Sequence, residues 1–70
     1  MSRQGEACRA LGNSIEVAEA IIFENVLKSI NEGKLLLDEV QLQTLKQDIS
    51  TALSTAKNRG IDQIIKAVQD

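Results

Sequence analysis

The apolar residues of this 70-residue chain recur with the spacing of α-helices. Over 13–31 they return every three or four positions, which places several of them on one face of a helix. Asn13 can cap this helix, because Glu16 follows three residues later as in a capping box, and Gly33 is a typical residue beyond a helix end. The pattern predicts a helix near 13–31 after a short N-terminal lead over 1–12.

A second helix begins with the clearest local signal in the sequence. Asp38 fits the N-cap position and Gln41 fits the third helical position, so that each side chain can bond the backbone of the other residue. A narrow stripe of apolar residues then continues toward Gly60, which we expect to end the helix. The spacing predicts a helix near 38–58 and a short C-terminal helix near 61–69.

These elements predict an all-α fold in which the chain forms one domain over 1–70. Two long helices form an antiparallel helical hairpin, the short C-terminal helix packs across it, and dimerisation completes a small helical bundle. No stretch shows the convincing alternation of a β-strand. The residues predicted to form the core are Ile15, Ile22, Val26, Ile30, Leu42, Leu45, Ile49 and Leu53.

The first helix carries more apolar residues than one neighbouring helix can cover. At 100° per residue, Ile15 belongs to one face, whereas Val17 and Ile21 point about 120–160° away from it. Small monomers do not usually leave a contiguous apolar patch in water, although the C-terminal helix is a rival cover for this face. We therefore predict an interface with a second copy or with another protein. Its residues are Val17, Ile21 and Leu27.

Association is also expected on energetic grounds. A chain of this size buries only about 60% of its unfolded surface, so its stability is marginal. It has one Phe, no Trp, no Tyr and one Cys, so large aromatic contacts are nearly absent and an intrachain disulfide cannot form. Small side chains around Ala52 and Ala56 would let another helix approach closely, the alternative being exposed polar positions beside the core stripe.

The residue types that are missing exclude several kinds of chemistry. Without His, the chain has no Ser-His-Asp or Cys-His catalytic group and no His-ligated metal. A single cysteine, Cys8, is expected to be a small residue on an apolar face. The acidic residues Glu16, Glu19 and Glu24 have no catalytic partner, so a solvated face is expected. The sequence therefore predicts no enzyme, no cofactor and no metal.

Charge and hydropathy limit the partners further. Eight Lys and Arg stand against ten Asp and Glu, which gives a net charge of −2 without a basic patch. Nucleic acid is therefore a disfavoured partner. The longest apolar runs, 20–23 and 35–37, are far short of a membrane span, and the N-terminus lacks an apolar signal core. A cytoplasmic protein is expected.

Three hypotheses about function follow from these features. The first is a non-enzymatic protein–protein interaction module, an adaptor, inhibitor or regulator that presents an apolar helix face to its partner. The second is a structural or assembly subunit of a larger particle, such as a phage or a secretion apparatus. The third is a helical-hairpin nucleic-acid regulator, which the charge argues against. A discrete dimer would favour the first hypothesis, and open-ended assembly would favour the second.

Overall fold

The computed structural model describes residues 2–69 and contains two long helices packed against each other. Helix α1 spans Arg3–Asn31 and helix α2 spans Glu39–Ala67. The start of α1 meets the end of α2, where the Arg3 Nη2 atom donates a hydrogen bond to the carbonyl oxygen of Gln69 at 2.9 Å. The helices are therefore antiparallel, and the predicted all-α helical hairpin is confirmed.

Helix α1 begins ten residues earlier than the sequence pattern predicts. Its N-cap is Ser2, whose side-chain oxygen accepts a hydrogen bond from the Gly5 N–H at 2.8 Å. The helix then continues through Gly12, so the predicted lead over 1–12 and the predicted cap at Asn13 are wrong. A glycine inside a helix costs about 1 kcal/mol. The segment before it nevertheless packs along α2, where Leu11 lies against Gly60 and Cys8 is half-buried.

Helix α2 is likewise continuous where the sequence predicts a break. It runs through Gly60 to Ala67, so the predicted separate helix near 61–69 is the last part of α2 rather than a third element. A Cβ atom built on Gly60 would lie 2.6 Å from the Cδ2 atom of Leu11. Gly60 therefore marks a close approach of α1 to α2, and it does not end the helix.

The turn between the helices follows the sequence signals closely. Gly33 has a φ of +73°, its N–H donates to the Ile30 carbonyl at 3.1 Å, and the Lys34 N–H donates to the Ser29 carbonyl at 2.9 Å. These two bonds form a Schellman motif with Gly33 in the left-handed position. The predicted helix stop at Gly33 is confirmed.

The start of α2 is capped in both directions. The Gln41 N–H donates to the Asp38 carboxylate at 2.8 Å, and the Asp38 N–H donates to the Gln41 side-chain oxygen at 3.0 Å. This reciprocal pair is a complete capping box, as predicted. The turn is therefore fixed at both ends by local hydrogen bonds.

The contact between the helices is a seam and not an enclosed core. All eight predicted core residues are half-buried, and among residues 2–69 no side chain is fully buried. The hairpin measures 50 × 17 × 14 Å, and its radius of gyration is 15.8 Å. A compact domain of this length would have a radius of gyration of about 11 Å. The hairpin is an extended rod with most side chains within reach of solvent.

Candidate protein interaction surface

The three residues predicted to form an interface are all exposed in the hairpin. Relative exposure is 58% for Val17, 51% for Ile21 and 46% for Leu27. Helix α2 therefore does not cover these side chains. The last part of α2, which could have covered them, lies beside Gln4 and Leu11 of α1 instead.

The antiparallel register shows which residues share a side of the rod. Gly12 faces Lys57, and Leu11 faces Gly60. An α1 residue and the α2 residue at the same height along the rod therefore have sequence numbers that add to about 70. Ile15 lies near the middle of the α1 face that meets α2. Successive residues of a helix are 100° apart around its axis. Residues displaced from Ile15 in one sense therefore lie on one flat side of the two-helix rod, and residues displaced in the other sense lie on the opposite flat side.

The first flat side, which we call the groove side, is identified by a shallow groove. The groove is open to solvent and has a volume of about 500 Å³. Its lining residues are Phe23, Leu27, Gln43, Lys46, Gln47 and Ser50. Rotation at 100° per residue places Gly12 and Lys57 on the groove side as well. A Cβ atom built on Gly12 would lie 3.6 Å from Lys57 Cε, so the two residues face each other there.

Charged residues are frequent on the groove side. Rotation at 100° per residue places Arg9, Glu16 and Glu19 of α1 there, opposite Lys46 and Lys57 of α2. Glu19 and Lys46 are half-buried, so the apolar parts of their side chains cover part of the seam. A partner on this side would therefore meet apolar and charged groups together.

The second flat side, which we call the small-residue side, has a different character. Ile21 lies on it about 120° from Ile15, in the direction opposite to Leu27. Ala18 accompanies Ile21 on α1. On α2, Ala52 lies at the level of Ala18, and Ala56 lies one turn farther from the connecting turn. Both of these α2 alanines are exposed. Between Ala7 and Asn25, the α1 half of this side contains no charged residue.

The structure therefore divides the predicted interface. Ile21 belongs to the small-residue side, and Val17 lies at the outer edge of the same side. Leu27 belongs to the groove side beside Phe23. One flat partner cannot cover Ile21 and Leu27 together, because they point about 120° apart around α1.

Two further apolar side chains at the turn were not among the predicted interface residues. Leu36 is 85% exposed and Val40 is 74% exposed. The sequence signals at the turn identified caps and a glycine stop, and no periodic pattern distinguishes an exposed turn leucine from one tucked under the helix ends. The turn end of the rod therefore carries a third apolar surface, in addition to those on the two sides.

Groups that carry chemistry are sparse in the described part of the chain. Between residues 2 and 69, no three His, Cys, Asp or Glu side chains are placed to hold a metal ion. Cys8 is half-buried on α1. Lys34 Nζ lies 3.0 Å from Glu32 Oε2 in an exposed ion pair at the turn. Such a pair contributes little to stability.

Comparisons with protein-family models, with curated proteins and with solved structures gave no match to this chain. Within residues 2–69, neither helix has an apolar stretch of the length needed to cross a membrane. The two sides of the hairpin, with the exposed apolar residues on them, are its candidate functional surfaces.

Proposed function

We propose that this protein is a non-enzymatic helical interaction module that presents the outer face of α1 to a partner protein. The module would act as an adaptor, inhibitor or regulator. The observation that carries the proposal is the pair Val17 and Ile21, which lie one helical turn apart and are both more than half exposed. Two such residues are the minimal apolar stripe by which one helix recognises another.

The incomplete burial of the hairpin supports this proposal. A monomeric protein of 7.6 kDa has an accessible surface of about 4,300 Å². The hairpin exposes 5387 Å². The additional surface, about 1,000 Å², is of the order that one chain contributes to a stable protein–protein interface. A bound partner would bring this chain to the burial expected of an ordinary folded protein.

A structural or assembly subunit is the second candidate, and one observation favours it. Apolar residues are exposed on more than one side of the rod, with Ile21 on the small-residue side, Leu27 on the groove side and Leu36 at the turn. A subunit that contacts several neighbours needs separate apolar surfaces of this kind. The solution mass distinguishes the candidates, since a module gives a discrete complex and a subunit gives open-ended assembly.

The proposal is tested with the variants Ile21→Lys and Asn13→Lys. Both positions are exposed on α1, so neither lysine should unfold the hairpin, but only Ile21 belongs to the apolar stripe. We expect Ile21→Lys to keep its helical circular dichroism and to lose its partner or its dimer. Asn13→Lys should keep both. Equal binding by the two variants would contradict the proposal, as would unfolding of Ile21→Lys at every protein concentration.

A further inference from the structure

We infer that the occupant of the small-residue side is a second copy of this chain, laid antiparallel so that the two α2 helices meet at Ala52 and Ala56. The product is a four-helix dimer. This inference rests on the proposed function and deepens it, since it names the partner of one side and leaves the groove side free.

The first support is the fit between the side and a helical partner. Ala52 and Ala56 are exposed and one turn apart. The α1 residues at their levels, Ala18 and Ser14, are also small. Side chains of this size let helix axes approach closely, and the larger Ile21 and Leu45, which both lie on the turn side of the alanine pair, can fill the space beside it. Leu45 and Ile49 are only half-buried within one hairpin and would become enclosed.

The second support is the available area. The flat side of the rod measures about 50 × 17 Å. A second hairpin laid along it could therefore cover roughly 800 Å² on each chain, which is the contribution of one partner to an interface of standard size. The same area is close to the excess surface of the isolated hairpin.

The third support is charge complementarity with a second copy. Asp48 and Arg59 lie on the outer part of the small-residue side, and both are exposed. When two α2 helices run antiparallel about Ala52 and Ala56, Asp48 of each chain comes close to the level of Arg59 of the other. Eleven residues, or about 16 Å of helix, separate the two side chains within one chain, so they cannot pair there.

The groove side offers a second copy a less favourable fit. Its charged residues, among them Glu19, Lys46 and Lys57, would lose water against the same charges of a second copy. In its α2 half the small-residue side has one acidic residue, Asp48, and two basic residues, Arg59 and Lys66, all of them exposed. Asp48 and Arg59 complement each other across a two-fold axis, and Lys66 lies nearer the end of α2.

The main test compares Ala52→Lys with Ser54→Lys. Both positions are exposed on α2, but Ser54 lies on the groove side. The wild-type chain should sediment with twice the mass of 7.6 kDa. Ala52→Lys should weaken dimerisation roughly a hundredfold or more, because each dimer would bury two unpaired ammonium groups, and Ser54→Lys should not weaken it. A monomeric wild type, or a full dimer of Ala52→Lys, overturns the inference.

The orientation is tested with the charge-reversed variants Asp48→Arg, Arg59→Asp and their combination. Because both positions are exposed, these variants also test the dimer if Ala52→Lys fails to fold. At low salt each single variant should dimerise about threefold to tenfold more weakly, and the double variant should recover wild-type affinity. A double variant no tighter than the single variants overturns the antiparallel arrangement.

The two proposals fail separately. A monomeric wild type whose binding to another protein is abolished by Ile21→Lys would overturn the second copy and keep the interaction module. A dimer that survives both Ala52→Lys and Ile21→Lys would contradict both.

Discussion

The Cδ2 atom of Leu11 lies 2.6 Å from the point that a Cβ atom on Gly60 would occupy. The two helices approach each other at this level through the space that the glycine leaves. By contrast, a Cβ on Gly12 would meet its nearest neighbour, Lys57 Cε, at 3.6 Å, which is an ordinary van der Waals distance. Close packing against Leu11 therefore requires glycine at position 60, whereas the space around position 12 would accept a larger residue.

Alanine substitution should separate these two glycines. Gly12→Ala should raise the free energy of unfolding by about 0.5–1 kcal/mol, because alanine has the higher helix propensity and fits the space. Gly60→Ala should be less stable than Gly12→Ala by about 1–2 kcal/mol, since Leu11 must move. Urea denaturation measures both values. Equal stabilisation of the two variants would mean that Leu11 does not pack against Gly60.

Gly33 should be sensitive to substitution for a reason unrelated to space. Nothing lies within 4 Å of its would-be Cβ, but its φ of +73° disfavours any residue with a side chain. Gly33→Ala should lower the free energy of unfolding by about 1–2 kcal/mol, and Gly33→Asn should lower it less. Thermal denaturation followed by circular dichroism tests the order, and an Asn variant weaker than the Ala variant would contradict it.

The capping box should contribute measurably to the stability of α2. Asp38→Ala removes the acceptor of the Gln41 N–H and should cost about 0.5–2 kcal/mol. The exposed Thr44 lies outside the cap, so Thr44→Ala is the matched control and should cost little. Chemical denaturation of the two variants gives the comparison. A loss for Thr44→Ala as large as that for Asp38→Ala would point away from the cap.

The loss in free energy of unfolding on Ile49→Ala should show how much of the Ile49 side chain is buried. A fully buried isoleucine costs about 2–5 kcal/mol on replacement by alanine. Ile49 is half-buried in one hairpin, so Ile49→Ala should cost less than for full burial, about 1–3 kcal/mol, at protein concentrations where the chain is monomeric. The cost should rise toward the fully buried range where a dimer forms. A change below about 0.5 kcal/mol at all concentrations would place Ile49 outside the seam.

The turn was predictable because its signals are local. The left-handed glycine and the Asp38–Gln41 box act within a few residues, so the sequence alone indicates where α1 ends and α2 begins. The seam was predictable for the same reason, since a periodic apolar stripe identifies a face without reference to its partner.

The outer ends of both helices were not predictable from local signals. Glycine is common beyond helix ends, and it is also found where two backbones or side chains approach closely. The choice at Gly12 and Gly60 depends on the residue that lies across the hairpin, which is Lys57 in one case and Leu11 in the other. That information is tertiary and depends on the register between the helices.

The α2 residues that accompany each part of the candidate interface were hidden from the sequence in a similar way. A helical projection shows that Val17, Ile21 and Leu27 point away from Ile15. It also separates Ile21 from Leu27 by about 120°, but it does not show which α2 residues lie beside each of them. Only the register, together with the groove beside Phe23 and Lys46, identifies the side that Ala52 and Ala56 share with Ile21.

The position of the turn also determines the order in which the hairpin can form. Contacts beside Gly33 and Asp38 close short loops, whereas the bond from Arg3 to Gln69 spans 66 residues and closes the longest loop. Helix pairing should therefore begin at the turn and propagate outward like a zipper. Substitutions at the turn should slow folding, and substitutions near Leu11 and Gly60 should mainly accelerate unfolding.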